Sequence, residues 1–196
     1  QAGAAEPGLL FVDGHEDATP MDLSSSGEAA NMEIALLLGL TGERAPGPLH
    51  DRLPALDLDA IAMLGPRDQL FRQAANVPTV AGRVWLRSAD EVSANPANCA
   101  GLAVRQVAAH ASRWWLHVDL DVLARSEFAA CGAPGEVMLD GGLSWQQLTD
   151  IGVSAVQNGG CAGWSLSIYN PDLDPDRSAA RNIVEFVARI APSAGR

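Results

Sequence analysis

Two short acidic clusters constrain this chain more than any other feature: Asp13-Gly14-His15-Glu16-Asp17 and His117-Val118-Asp119-Leu120-Asp121. Each follows an apolar run that reads as a buried strand, Gly8-Leu9-Leu10-Phe11-Val12 before the first and Trp114-Trp115-Leu116 before the second. In an extended segment alternate side chains share a face. Asp13, His15 and Asp17 can therefore point together, as can Asp119 and Asp121. A strand buried on both sides should not end in several carboxylates unless something compensates their charge. A divalent cation does so, and a set of Asp13, His15, Asp17, Asp119 and Asp121 suits manganese, with iron, zinc and cobalt as alternatives. Glu16 falls on the opposite face, as a solvent-facing or ion-paired group. His117 shares a face with Asp119. It reads as a hydrogen-bonded support for the ligands or a satisfied core histidine, with direct metal ligation as the alternative.

The rest of the chain alternates in type. Residues 27–40 are nearly all apolar and predict a buried helix. Residues 42–54 are rich in Gly and Pro and predict a loop. Short strands are expected over 59–64, closed by Gly65-Pro66-Arg67-Asp68, and over 83–87. Arg67 and Asp68 read as an internal ion pair or a loop brace. Ser88, with Asp90 and Glu91 after it, begins a segment that Asn95-Pro96 interrupts, and 98–111 is a helix of small residues. The strand carrying the second cluster spans 113–118, and 126–142 is irregular. Ser144 with Gln147 makes a capping box. The helix it starts places Trp145, Leu148, Ile151, Gly152 and Ala155 on one face. Trp164, Leu166 and Ile168 alternate with Ser165, Ser167 and Tyr169, a strand signature. Asp174 is expected to cap a last helix with Pro175 at its first position. Trp114, Trp115, Trp145 and Trp164 read as core. Strands alternating with helices predict an α/β fold: a three-layer α/β/α sandwich around a mainly parallel sheet. Ligands gather at the carboxyl ends of such strands, where both acidic clusters lie.

Composition narrows the partners. The chain has 196 residues and a net charge of -11, which argues against nucleic acid and anionic membrane, since both demand basic patches. A cationic substrate would be steered favourably. The three cysteines are widely spaced without a Cys-x-x-Cys, so they read as small thiols in a reducing cytoplasm rather than a disulfide framework or a zinc site. No apolar stretch reaches the length of a membrane span, and no signal peptide is visible. Residues 1–196 read as a single domain. Because Gln1 is no initiator methionine and a strand follows at once, that domain is expected to be the downstream part of a longer one.

These segments resemble the ureohydrolases: arginase, agmatinase, formimidoylglutamase and their relatives. The likeness rests on Asp13-x-His15-x-Asp17, Gly65-Pro66-Arg67-Asp68, Asp119-x-Asp121, Gly141-Gly142-Leu143-Ser144 and Asn170-Pro171-x-x-Asp174, in that order along nearly the whole chain. The resemblance implies an arginase-like fold and a binuclear manganese centre whose bridging hydroxide attacks a guanidinium or formimino carbon. By motif, Asp13 and Asp119 would bridge both ions. His15 and Asp121 would complete one site. Asp17 would belong to the other and hydrogen-bond the hydroxide, which makes it the catalytic candidate. Ser24, Ser26, Glu28, Tyr169 and Asn170 would line the substrate pocket.

Several positions depart from the family pattern. The family's first metal ligand, a His upstream of the Asp-x-His-x-Asp strand, is not among these residues. One strong and one weakened Mn2+ site are therefore expected. Where the family carries a guanidinium-anchoring Glu, two residues before Asn-Pro, this chain has Ile168. Ser26-Gly27 is not followed by the arginase branch's shuttle His, and Asp-Pro after the second cluster is replaced by Ala124-Arg125. The expected function is a cytoplasmic, homo-oligomeric, metal-dependent hydrolase of linear amidine C–N bonds, acting on a small cationic guanidino or formimino compound. The alternatives are a ureohydrolase-fold pseudoenzyme serving as scaffold or regulatory subunit, and a mononuclear zinc deacylase of the related deacetylase fold.

Overall fold

The computed structural model describes residues 7–25, 27–40, 47–132 and 139–191. Five strands form one sheet: β1 (Gly8–Val12), β2 (Ile61–Leu64), β3 (Trp85–Arg87), β4 (Trp114–Asp119) and β5 (Cys161–Ser167). Their order is β3-β2-β1-β4-β5, and every pairing is parallel. The chain thus starts in the middle of the sheet, builds outward through β2 and β3, and returns to the other side of β1 for β4 and β5. The reversal lies between β1 and β4, where Val12 pairs with Val118. A crevice opens outside the strand ends at such a reversal.

The helices follow from local chemistry. They are α1 (Glu33–Leu37), α2 (Gln69–Ala74), α3 (Ala89–Ala94), α4 (Pro96–Ala108), α5 (Trp145–Gln157) and α6 (Ser178–Ile190). The Ser88 hydroxyl accepts the Glu91 amide while the Glu91 carboxylate receives the Ser88 amide, and Ser144 and Gln147 do the same for α5. Pro96 begins α4, where its missing N–H costs nothing. One sheet face packs Leu10, Val12, Leu64, Leu116 and Val118 against Val104 and Val107 of α4, Leu148 and Ile151 of α5, and Phe186 and Ile190 of α6. The other face packs Leu9, Phe11, Ile61 and Met63 against Ile34 and Leu38. Among the described residues, that second layer covers β1 and β2 but not β4, and Trp115 is 45% exposed. The expectation that Trp115 is core therefore fails, although Trp114 on the opposite face is buried.

Three element boundaries also shift. The stretch 27–40 is not one helix but a 3-10 turn at Ala29–Asn31 followed by α1, because the chain turns at Met32. Of the loop expected over 42–54, residues 42–46 lie outside the described residues, and Gly47–Arg52 forms a 3-10 helix. The last helix begins at Ser178 rather than Pro175, yet Asp174 still caps it: its carboxylate accepts the amides of Ala179 and Ala180 from across a turn. Among the described residues, no helix is long and apolar enough to cross a membrane.

Candidate metal centre

Strand pairing brings the two acidic clusters together. Asp13 follows β1 directly, Asp119 ends β4, and the two strands are neighbours in register. The Gly14 amide donates to Asp121 Oδ1 at 3.0 Å, and His15 Nδ1 lies 2.9 Å from Asp121 Oδ2. Close approach depends on Gly14, because a Cβ there would sit 2.8 Å from Asp121 Oδ1 and 3.0 Å from its carbonyl oxygen. Within each tip the backbone is folded back onto the carboxylates. The His15 amide donates to Asp13 Oδ1 at 2.7 Å, and the Asp121 amide to Asp119 Oδ1 at 3.0 Å. Asp17 takes a φ of +43°, a left-handed turn that Asp tolerates better than most residues.

Among the described residues, two sets of possible metal donors result, and Asp13 belongs to both. Asp13, His15 and Asp17 form one; Asp13, His117 and Asp119 form the other; within each set the donor atoms lie within 4.8 Å of one another. Asp13 is 1% exposed, and its Oδ2 is buried with no hydrogen-bond partner. A carboxylate oxygen left this way is costly unless a cation meets it. The donor set, carboxylates with imidazole, suits a divalent first-row metal.

The electrostatics tell the same story. Burial pushes Asp13 up to about 8, opposed by a hydrogen bond from His15 and aided by the Asp121 and Asp119 charges. Burial, with Asp13 and Glu33 nearby, pushes Asp17 up to about 11, and burial with Asp121 lifts Asp119 to about 6. Burial disfavours charge on His15, but hydrogen bonds to Asp121 and Asp13 outweigh it and raise the imidazole to about 11. Asp121 is buried too, yet its contact with His15 holds it below the usual carboxylate range. Without metal, one imidazolium balances part of an excess of buried negative charge, and the remaining carboxylates resist ionising.

Hydrogen bonds and ion pairs brace the tips from behind. Arg67 is a loop brace rather than a partner of Asp68: its guanidinium donates to the carbonyls of Asp121 at 2.7 Å, Leu123 at 3.3 Å and Asp140 at 3.1 Å. Glu16 is not solvent-facing but buried and ion-paired. It meets Arg72 Nη2 at 2.8 Å and accepts from Thr79 Oγ1 and the Val80 amide, each at 2.7 Å. Asp68 bonds the same arginine at 3.0 Å and receives the Glu16 amide at 3.1 Å. Sequence reasoning missed α2, which carries Arg72. The spacing Asp68-x-x-x-Arg72 after a Gly-Pro was the available signal.

The expected substrate-side residues are placed less tightly. Ser26 lies outside the described residues. Ser24 accepts the Gly27 amide in an exposed turn, and Glu28 is exposed on the same segment. The Tyr169 hydroxyl donates to Asp174 Oδ2 at 3.0 Å, and the Asn170 amide group donates to the Gly132 carbonyl at 2.9 Å, so both brace the loop after β5. Ile168 takes a φ of +69° and is 40% exposed.

No family model and no curated protein matches this sequence. Solved structures do match its fold. Arginase from Bacillus caldovelox superposes with a TM-score of 0.75 at 17% identity, over 97% of this chain and 62% of that one. Proclavaminate amidino hydrolase from Streptomyces clavuligerus gives 0.68 at 18% identity, over 94% and 54%. Formimidoylglutamase from Bacillus subtilis gives 0.67 at 18%, over 96% and 55%. The chain therefore has the arginase-like α/β fold of the ureohydrolases, and it spans about three-fifths or less of the length of these structures.

Proposed function

We propose that this protein is a metal-dependent hydrolase of linear C–N bonds in a small guanidino or formimino compound, with Mn2+ as its cofactor. The observation that carries this reading is the buried, unpartnered Asp13 Oδ2 at the point where two acidic strand tips converge. The solved structures of like fold, two of which are named for amidino or formimidoyl substrates, support the substrate class.

Asp13 and Asp119 would contribute to holding both ions, His15 and Asp121 to one, and Asp17 to the other. Bound divalent ions supply a hydroxide nucleophile at neutral pH and polarise the carbon it attacks. The chain's own groups do the rest. Asp17 would orient the attacking water and carry its proton toward the departing amine. Asp121 and Asp13 hold His15 through its Nδ1 side, fixing the ring's direction. Arg67 fixes the carbonyls behind Asp121, so the second tip cannot drift from the first. The net charge of -11 favours approach of a cationic substrate.

The test is urea, ammonia or formamide release from a panel of guanidino and formimino compounds, after loading with Mn2+ and removal of excess metal. Turnover by wild type, lost in Asp119→Asn and His15→Ala, is the expected result. A protein that takes up no Mn2+, Co2+ or Zn2+ by elemental analysis would overturn the reading.

A second reading, a catalytically silent scaffold of the same fold, is favoured by one observation. Ile168 directly follows β5 and carries an apolar side chain in a left-handed conformation, which costs about 1–3 kcal/mol. The side chain following the last strand thus offers no hydrogen-bond acceptor to a guanidinium. Metal uptake without turnover of any panel member would select this scaffold.

A further inference from the structure

We propose that His117 is itself a metal ligand, presenting Nε2 to a second ion held with Asp13 and Asp119. This rests on the metal-dependent reading above and adds a donor that the ureohydrolase resemblance does not assign.

Strand geometry puts His117 in place. On β4, Trp115, His117 and Asp119 share the face that the second helix layer leaves open, and Asp119 is the residue nearest the crevice. The His117 ring stacks on Phe11 of the neighbouring strand, with centroids 5.1 Å apart and planes 18° from parallel. That contact fixes the plane of the imidazole. One of its ring nitrogens then falls within 4.8 Å of donor atoms of Asp13 and Asp119, in a set that shares only Asp13 with the group of Asp13, His15 and Asp17. An independent observation in the same set points to a cation: Asp13 is 1% exposed and its Oδ2 has no hydrogen-bond partner.

The hydrogen bonds around the ring suit ligation. Metal-bound histidines generally donate their other ring N–H to a protein acceptor, which fixes the tautomer. Here Nδ1 lies 2.8 Å from Ser165 Oγ. That hydroxyl oxygen already accepts the Trp115 indole N–H at 2.9 Å, and its second lone pair can accept Nδ1–H. On the other edge, Nε2 is 3.3 Å from Ser167 Oγ, a long contact, while Ser167 is committed to donating to Asp119 Oδ2 at 2.7 Å. Giving up the longer contact for an ion costs little. In the competing arrangement Nε2–H donates to Ser167 and the ring only supports Asp119.

Pulsed EPR of the Mn2+-loaded protein, with histidine labelled with 15N, separates the two without a mutation. Two directly bound imidazoles are expected, from His15 and His117. Metal titration of His117→Ala is expected to give one Mn2+ per chain where wild type takes two, or to weaken the second ion by about tenfold or more. His15→Ala should keep one imidazole coupling, from His117. One bound imidazole in wild type, with unchanged stoichiometry in His117→Ala, overturns the assignment and leaves the hydrolase reading standing. Failure of wild type to bind Mn2+ at all overturns both.

Discussion

Replacing Arg72 by methionine removes the cation that two buried carboxylates share. In the folded protein Arg72 reaches Glu16 Oε1 at 2.8 Å and Asp68 Oδ1 at 3.0 Å, and the three side chains are 12%, 2% and 3% exposed respectively. Methionine keeps most of the apolar stem and deletes the charge. Glu16 retains its bonds from Thr79 and Val80, so it stays bonded but uncompensated. Breaking a buried pair from one side costs about 3–5 kcal/mol, because the remaining charge is stranded. For a domain of this size that corresponds to a fall in Tm of roughly 6–20 °C. The assay is urea unfolding at pH 7, with calorimetry alongside. The damage should reach the candidate metal centre, because Glu16 sits between His15 and Asp17 and its burial aims them into the crevice; Mn2+ affinity should drop about tenfold. Adding Glu16→Gln and Asp68→Asn to the methionine variant should recover at least half of the lost stability. A single variant within about 1 kcal/mol of wild type, as for an exposed ion pair, would refute the reasoning. So would a triple variant no more stable than the single one.

Three further outcomes are expected. Metal-free protein should lose stability as pH rises from 6 to 9. Asp13 at about 8 and His15 at about 11 both lie above their ordinary values, so the stability each contributes is complete at low pH and is lost as pH climbs through the folded-state value. Thermal unfolding in chelator should show that slope and saturating Mn2+ should flatten it; a rising metal-free profile would contradict the electrostatics. Arg67→Ala should cost about 2–4 kcal/mol in urea unfolding, since the carbonyls of Asp121, Leu123 and Asp140 lose a charged donor. An unchanged unfolding midpoint would show that the brace is not needed. Gly14→Ala should cost about 1–3 kcal/mol and weaken Mn2+ binding in titration calorimetry, because the new methyl group meets Asp121. Wild-type affinity in that variant would mean the tips are less tightly coupled than their contacts indicate.

Much of the layout is legible from local pattern. Short apolar runs mark the first four strands and period-two alternation marks β5, and Ser88 with Glu91 and Ser144 with Gln147 announce their helices because capping is a contact between near neighbours in sequence. The legibility ends where a residue's partner is distant. Glu16 is ambiguous in sequence because its cation lies on α2. Trp115 looks like core because an aromatic on a central strand usually is; its exposure depends on how far the second helix layer extends. Asp174 caps its helix from an unexpected distance because the chain between makes an extra turn before Ser178.

For the candidate site the division is similar. Sequence alone determined which side chains form each acidic cluster, but strand alternation is not what gathers them: Asp13, His15 and Asp17 lie in the turn beyond β1, and Asp121 lies in a 3-10 turn after β4. Sequence also placed both clusters at strand ends, because polar residues following an apolar run mark where a strand leaves the core. Only tertiary structure decided that β1 and β4 are neighbours at the reversal of the sheet, so that Asp13 serves two donor sets and His117 joins one of them. Strand order is settled by how helices pack over the whole sheet, a sum of many weak apolar contacts that no local segment encodes.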